Sequence, residues 1–103
     1  MARTEIVSYG LQQYSGATSS GLIYLYGANS KHIGNAYFVN YGSPIPAPNQ
    51  GPNGFVSLYY HHTAFAFVVD ILRNEKPCYL SWFTSSGTIG TGVEQVGEHE
   101  LTG

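Results

Sequence analysis

One carboxylate stands out because its neighbours in the chain are apolar. Asp70 lies inside the run 64–72, which is otherwise built from Ala, Phe, Val, Ile and Leu. An unpaired charge in such surroundings costs several kcal/mol, so we expect Asp70 to be buried and hydrogen-bonded. It would either form a structural pair with Tyr79 or accept a hydrogen bond from a ligand. A general base in a small hydrolase is the alternative role.

Three histidines are candidates for a metal site. His61 and His62 are adjacent, and adjacent side chains on an extended chain point to opposite faces. They would need another ligand, from His99 and its acidic neighbours or from a symmetry-related chain. Imidazole and carboxylate suit zinc and similar ions, but this spacing matches no metal motif. We therefore predict solvated turn histidines and no cofactor.

Other catalytic signals are weak. The single cysteine, Cys78, has no base at a recognisable spacing and excludes an intramolecular disulfide. The sequence has no Gly-x-Ser-x-Gly elbow, no phosphate-cradling Gly-x-x-x-x-Gly-Lys loop and no dinucleotide fingerprint. It therefore favours a non-enzymatic protein.

Tyrosine is unusually frequent. Nine Tyr, five Phe and one Trp make the chain 15% aromatic. Tyrosine offers a large apolar surface with a hydroxyl, which suits interfaces and, beside neutral amides, the recognition of carbohydrate. Predicted loops and strand ends contain such amides, at Asn29, Asn35, Asn40, Asn49 and Asn53. We therefore predict a lectin-like module for a neutral glycan.

Charged residues are scarce, at 10% of the chain, and the net charge is −2. The four cations are scattered, whereas nucleic acids and anionic membranes are bound by clustered Lys and Arg. We expect neither as a partner. The segment 1–9 has no apolar run of signal-peptide length, and no stretch is long enough to span a bilayer, so we expect a cytoplasmic protein.

Short β-prone runs between glycines predict one all-β domain over residues 1–103, an antiparallel β-sandwich or barrel of about six to seven short strands. Between the strands, the Pro-rich segment 42–54 is expected to form a stiff crossover between sheets or, alternatively, a rim or lid over a site, and 95–103 is expected to form a frayed tail. The predicted strands are Thr4–Tyr9, Gly21–Tyr26, Ala36–Tyr41, Phe55–Tyr60, Phe65–Arg73, Pro77–Phe83 and Ile89–Glu94.

A helix competes with a strand over residues 63–75. Phe65, Val68, Val69 and Leu72 have helical spacing. β-branched and aromatic residues dominate, however, and no capping residue precedes the run. We therefore predict a strand.

Residues 55–83 then form three antiparallel strands with two faces. One face would be the core, with Cys78 on it and Trp82 as an anchor. The opposite face is aromatic and apolar, and it would be covered by other strands, buried between subunits of a homo-oligomer, or free to bind a ligand. The predicted ligand-binding residues on it are Tyr59, Asp70, Tyr79 and Phe83.

Overall fold

The computed structural model describes residues 2–15, 19–40 and 42–92. Within these residues most of the chain is in strands, which confirms the all-β prediction. The elements, in chain order, are β1 Ala2–Ile6, β2 Ser8–Gln13, β3 Ser19–Tyr26, β4 His32–Val39, β5 Asn49–Gln50, β6 Val56–His61, α1 Phe65–Asn74, β7 Cys78–Phe83 and β8 Ser86–Thr91.

The strands form two sheets. One has three strands in the order β1-β7-β8, and the other has five in the order β2-β3-β4-β6-β5. All pairs are antiparallel except β4 with β6, which run parallel. The chain passes from the first sheet to the second at Val7, whose N–H donates to the Tyr26 carbonyl oxygen at 2.8 Å.

Alternation along the strands directs one face of each sheet inward. Ile23 and Leu25 on β3 are fully buried, as is Phe38 on β4. On β6 the inward residues are Val56 and Leu58, and they join the same apolar cluster. Because a register slip of one residue would turn these side chains outward, the buried set fixes the pairing.

The two sheets touch closely at two glycines. A Cβ atom on Gly87 of β8 would lie 2.5 Å from Leu58 Cδ2, and one on Gly34 of β4 would lie 2.9 Å from Leu80 Cδ2. Real Cβ atoms do not approach other carbons this closely, so a larger residue at either position would force neighbouring atoms to shift. The sheets therefore face each other across a common core, as in a small sandwich or barrel.

The strand predicted over Phe65–Arg73 is wrong, because this segment is the helix α1. Val68, Val69 and Leu72 form one buried stripe on it, whereas Ala66 and Phe67 are exposed. A helix therefore places the apolar stripe against the core, where a strand would have split it between two faces. This gain in burial outweighs the β-propensity of the individual residues.

The C-terminal end of α1 is held by a cysteine. Cys78 Sγ lies 3.4 Å from the Ile71 carbonyl oxygen and 3.1 Å from that of Glu75, so its single S–H proton is donated to one of them or shared between both. The Ile71 carbonyl also accepts the Glu75 N–H at 3.0 Å, the hydrogen bond that closes the helix. Cys78 is buried, as the core-face prediction required, and its contacts are structural.

The predicted three-stranded unit over 55–83 is also wrong. β6 ends at His61, a one-turn 3-10 helix follows at His62–Ala64, and α1 begins immediately after it. β6 and β7 therefore belong to different sheets.

The Pro-rich segment 42–54 connects β4 to β6 within one sheet, rather than joining two sheets as predicted, and it contains β5. The predicted tail 95–103 lies outside the described residues. In the part of the chain that is described, no helix is long and apolar enough to cross a membrane.

Candidate functional site

A cleft opens between the two sheets at one end of the molecule. Its volume is about 970 Å³, comparable with ligand-binding clefts in general. Thr4 of β1 and Leu80 and Trp82 of β7 form one wall. The facing wall comes from the β3–β4 loop and from the turn between β5 and β6.

Backbone hydrogen bonds shape both loops. In the β3–β4 loop, the Gly27 N–H donates to the Lys31 carbonyl oxygen at 2.8 Å, and the Lys31 N–H donates to the Ala28 carbonyl oxygen at 3.2 Å. In the second loop, Gly51 N–H donates to the Phe55 carbonyl at 2.7 Å. Gly54 has φ +80°, a conformation that glycine adopts without strain. The loops therefore hold their side chains at defined positions.

The cleft combines aromatic rings with amide side chains. The rings are His32, Phe55 and Trp82, and the amides are Asn29, Gln50 and Asn53. Each amide provides both a donor and an acceptor, and the rings provide apolar surface. Lys31 is the one charged residue among the described residues that line the cleft. This chemistry suits a ligand with apolar faces and hydroxyl edges.

His32 also borders the outer face of the five-stranded sheet. Its ring centroid lies 4.9 Å from that of Phe55 on the cleft side. It lies 5.1 Å from Tyr26 and 5.8 Å from Tyr24 on the sheet side. The cleft and the outer sheet face therefore meet at this histidine.

The structure does not bring the four predicted ligand-binding residues together. Tyr59 lies on β6, on the outer face of the five-stranded sheet, where it stacks on Tyr37. Tyr79 lies on β7 of the other sheet, with the Arg3 guanidinium 3.7 Å from its ring centroid. Phe83 ends the same strand and is 61% exposed.

The expectation that Asp70 is buried beside Tyr79 is wrong. Asp70 is exposed on α1 and accepts a hydrogen bond from Asn74 Nδ2 at 2.6 Å. This is an interaction between residues four apart on a helix. Once the segment is a helix, the charge simply remains in solvent, and no burial cost arises.

The adjacent histidines are close to each other, with ring centroids 4.7 Å apart. His61 Nδ1 lies 3.2 Å from Thr63 Oγ1. Among the described residues no group of three or more His, Cys, Asp or Glu side chains is arranged to hold a metal ion. The third predicted ligand, His99, lies outside those residues.

Sequence reasoning partly identified the cleft residues. Asn29 and Asn53 were expected to supply loop amides, and Trp82 to pack in the core; the structure has Trp82 half-buried at the cleft wall. Gln50 was not recognised, since its position depends on the pairing of β5 with β6, and Phe55 was not chosen as a ligand-binding residue. The Gly27–Lys31 and Gly51–Gly54 turns were the available local signal.

Comparison with known proteins gives no match: no family model, no curated protein and no solved structure matches the chain.

Proposed function

We propose that this protein is a non-enzymatic binding module for neutral glycans, and that the cleft is its binding site. The observation that carries the proposal is the lining of that cleft, in which three aromatic rings stand among three amide side chains. A sugar ring has an apolar C–H face that packs on aromatic surface and hydroxyls that both donate and accept hydrogen bonds.

The electrostatics of the chain support a neutral ligand. Four Lys and Arg and six Asp and Glu are spread over 103 residues. Nucleic acids and anionic membranes require clustered cations, and the described cleft lining offers only Lys31. A neutral polyhydroxylated ligand needs no charge partner.

The same lining favours binding over hydrolysis. Glycoside hydrolysis generally needs two carboxyl groups that flank the scissile bond. No carboxylate lines the cleft among the described residues. Asp70, the candidate base of a hydrolase, is not part of that lining, and its carboxylate accepts a hydrogen bond from Asn74 on α1.

The test uses Trp82, the only tryptophan of the chain, as a reporter. A screen on an array of neutral glycans would select a ligand, and titration of tryptophan fluorescence would then give its Kd. The Asn53→Ala variant should weaken binding about fivefold, corresponding to one hydrogen bond of about 1 kcal/mol. The matched control is Asn49→Ala, an exposed amide on β5 that does not line the cleft.

Two results would contradict the proposal. One is an array with no neutral glycan bound by a protein whose circular dichroism shows it to be folded. The other is equal weakening by Asn53→Ala and Asn49→Ala, since binding would then not involve the cleft.

Self-association is a second candidate function, supported by large apolar side chains at the surface. Phe67 on α1 is 69% exposed and Leu11 on β2 is 44% exposed. Native mass spectrometry would identify a homo-oligomer, and Phe67→Glu should dissociate it if α1 lies in the interface. A monomer at all concentrations would refute this function.

We also propose a cytoplasmic location. With Cys78 as its single cysteine, the chain cannot form an intramolecular disulfide, which suits a reducing compartment. Fluorescence microscopy of the tagged protein in its native cell would test this location.

A further inference from the structure

Aromatic residues continue beyond the cleft on the outer face of the five-stranded sheet. We define the tyrosine face as Tyr24, Tyr26, His32, Asn35, Tyr37 and Tyr59. The register places them on one side, because Tyr24 pairs with Asn35, Tyr26 with His32 and Tyr37 with Tyr59. Directly paired residues share a face of a sheet.

A chain of hydrogen bonds fixes the centre of the tyrosine face. His32 Nε2 and Asn35 Oδ1 are 2.7 Å apart, and Asn35 Nδ2 donates to the Tyr37 hydroxyl at 3.1 Å. Asn35 is only 8% exposed, and both the oxygen and the nitrogen of its side-chain amide are hydrogen-bonded. The rings on either side of it are therefore oriented before any ligand binds.

Tyr37 and Tyr59 form a stacked pair on this face. Their ring centroids are 5.0 Å apart and their planes 15° apart. That separation is close to the distance between neighbouring strands, so the two rings lie face to face on adjacent strands. Because the Tyr37 hydroxyl accepts a hydrogen bond from the buried Asn35 amide, its ring leans along β4 and covers that amide.

The Tyr24 hydroxyl adds a further hydrogen-bonding group at the β2 edge, where it donates to Gln12 Oε1 at 2.8 Å. Partial burial, with smaller effects of Tyr14 and Tyr37, raises the pKa of this hydroxyl. It is therefore protonated and neutral at physiological pH.

The tyrosine face has the same chemistry as the cleft and is continuous with it. None of its six residues is Asp, Glu, Lys or Arg, and His32 belongs to both surfaces. From His32 to Tyr37 along β4 is about 17 Å at the usual rise of a strand. That length is several times the width of one sugar ring.

We propose that the cleft and the tyrosine face form a single binding track, and that its ligand is an extended, linear, neutral oligosaccharide rather than a single sugar or a disaccharide. This inference rests on the proposed function. The cleft holds one end of the chain, and the following sugars lie over His32 and along the stacked tyrosines.

The test measures how affinity depends on chain length. The probes are three linear neutral series, from disaccharide to hexasaccharide: β-1,4-linked glucose, α-1,4-linked glucose and β-1,4-linked N-acetylglucosamine. Calorimetry and Trp82 fluorescence would give each Kd. In at least one series the hexasaccharide should bind about tenfold more tightly than the disaccharide, which corresponds to two additional contacts that each strengthen binding about threefold.

Two variants assign the length dependence to the tyrosine face. Tyr59→Ala and Tyr24→Ala should each reduce the hexasaccharide-to-disaccharide affinity ratio from about tenfold to about threefold or less. Phe83→Ala is the matched control, because this exposed ring lies outside both surfaces, and it should leave the ratio unchanged.

NMR of the unmodified protein gives a result that does not depend on variant folding. The hexasaccharide should perturb β4 and β6 amides that the disaccharide does not.

The outcomes separate the two proposals. If no series binds, the glycan-binding function fails, and the inference fails with it. If disaccharide and hexasaccharide bind equally and perturb the same amides, the cleft binds glycans but the continuous track is wrong. A length effect that Tyr59→Ala and Tyr24→Ala leave intact would also overturn the track.

Discussion

A close approach between the sheets gives a prediction whose size follows from the structure. Gly34 lies on β4, beside β6 of the same sheet and against Leu80 of β7 in the facing sheet. A Cβ atom added there would lie 2.6 Å from the Val56 carbonyl oxygen and 2.9 Å from Leu80 Cδ2. Gly34→Ala must therefore displace either the paired strand β6 or the facing sheet.

The expected cost is about 3 kcal/mol, the upper part of the range for an inserted methyl group in a packed core. The upper part applies because the nearest atom belongs to the backbone and is held in the β4–β6 ladder. A domain of this size has a total stability of about 5–15 kcal/mol. The midpoint of thermal unfolding should fall by roughly 12–24 °C.

The matched control is Gly90→Ala on β8, where an added Cβ atom meets no described atom within 4 Å. It should leave stability unchanged or raise it by about 0.5–1 kcal/mol, since alanine restricts the unfolded chain. Urea unfolding, followed by Trp82 fluorescence and by circular dichroism, gives the free energy of unfolding of each variant.

The reasoning fails if Gly34→Ala and Gly90→Ala differ by less than about 0.5 kcal/mol, which is the ordinary range for a substitution without a structural conflict. β4, β6 and β7 would then not approach as closely as described. Because Val56 and Leu80 also line the cleft, a folded Gly34→Ala protein should bind the selected glycan less tightly than Gly90→Ala does.

Three further predictions concern α1, a buried tyrosine and the cysteine. Val68→Asp should cost about 3–5 kcal/mol because Val68 is 4% exposed in the core, whereas Phe67→Asp should change stability by less than about 0.5 kcal/mol; chemical denaturation distinguishes the two, and equal effects would contradict the helix. Burial raises the pKa of Tyr60, so the folded state retains this proton longer than the unfolded state does. The contribution of Tyr60 to the free energy of unfolding should be complete below about pH 10 and be lost as pH rises through the pKa of the folded state. In urea titrations at alkaline pH, Tyr60→Phe should remove this part of the loss of stability. Because Cys78 is buried, it should react with a thiol reagent only as the chain unfolds. A fast reaction in native buffer would contradict this burial.

Much of the strand content was predictable from local pattern. Gly21–Tyr26, Phe55–Tyr60 and Pro77–Phe83 each overlap an observed strand almost completely, because glycine and proline bound short runs of β-prone residues there. The predicted strand Thr4–Tyr9 spans the end of β1 and the start of β2. The sequence does not mark the change of sheet at Val7, which depends on partners far along the chain.

The helix was not predicted because residue preference and periodicity disagreed over Phe65–Asn74. Val, Ile and Phe favour strands, whereas the spacing of the buried residues favours a helix, and only the tertiary core decides between them. That single choice determined the predicted partners of β6 and β7. The predicted grouping of Tyr59 with Asp70, Tyr79 and Phe83 depended on those partners.

The residue types that line the cleft could be predicted from the sequence, but their location in the fold could not. The loop amides and the excess of aromatic residues are visible in the sequence, and they indicated a neutral hydrogen-bonding site. Trp82 and Asn53 line the same cleft because β4 and β6 run parallel and the sheets face each other. No local spacing encodes the proximity of segments so far apart.

The pairing of β1 with β7 has a consequence for how the chain is made. Residues 2–6 pair with residues 78–82, so β1 leaves the ribosome without its partner, which follows only after more than seventy further residues have been added. The five-stranded sheet, by contrast, is complete once His61 has emerged. We therefore expect synthesis to produce a nascent chain whose larger sheet can form early, while β1 stays unpaired and open to wrong pairing with other strand edges.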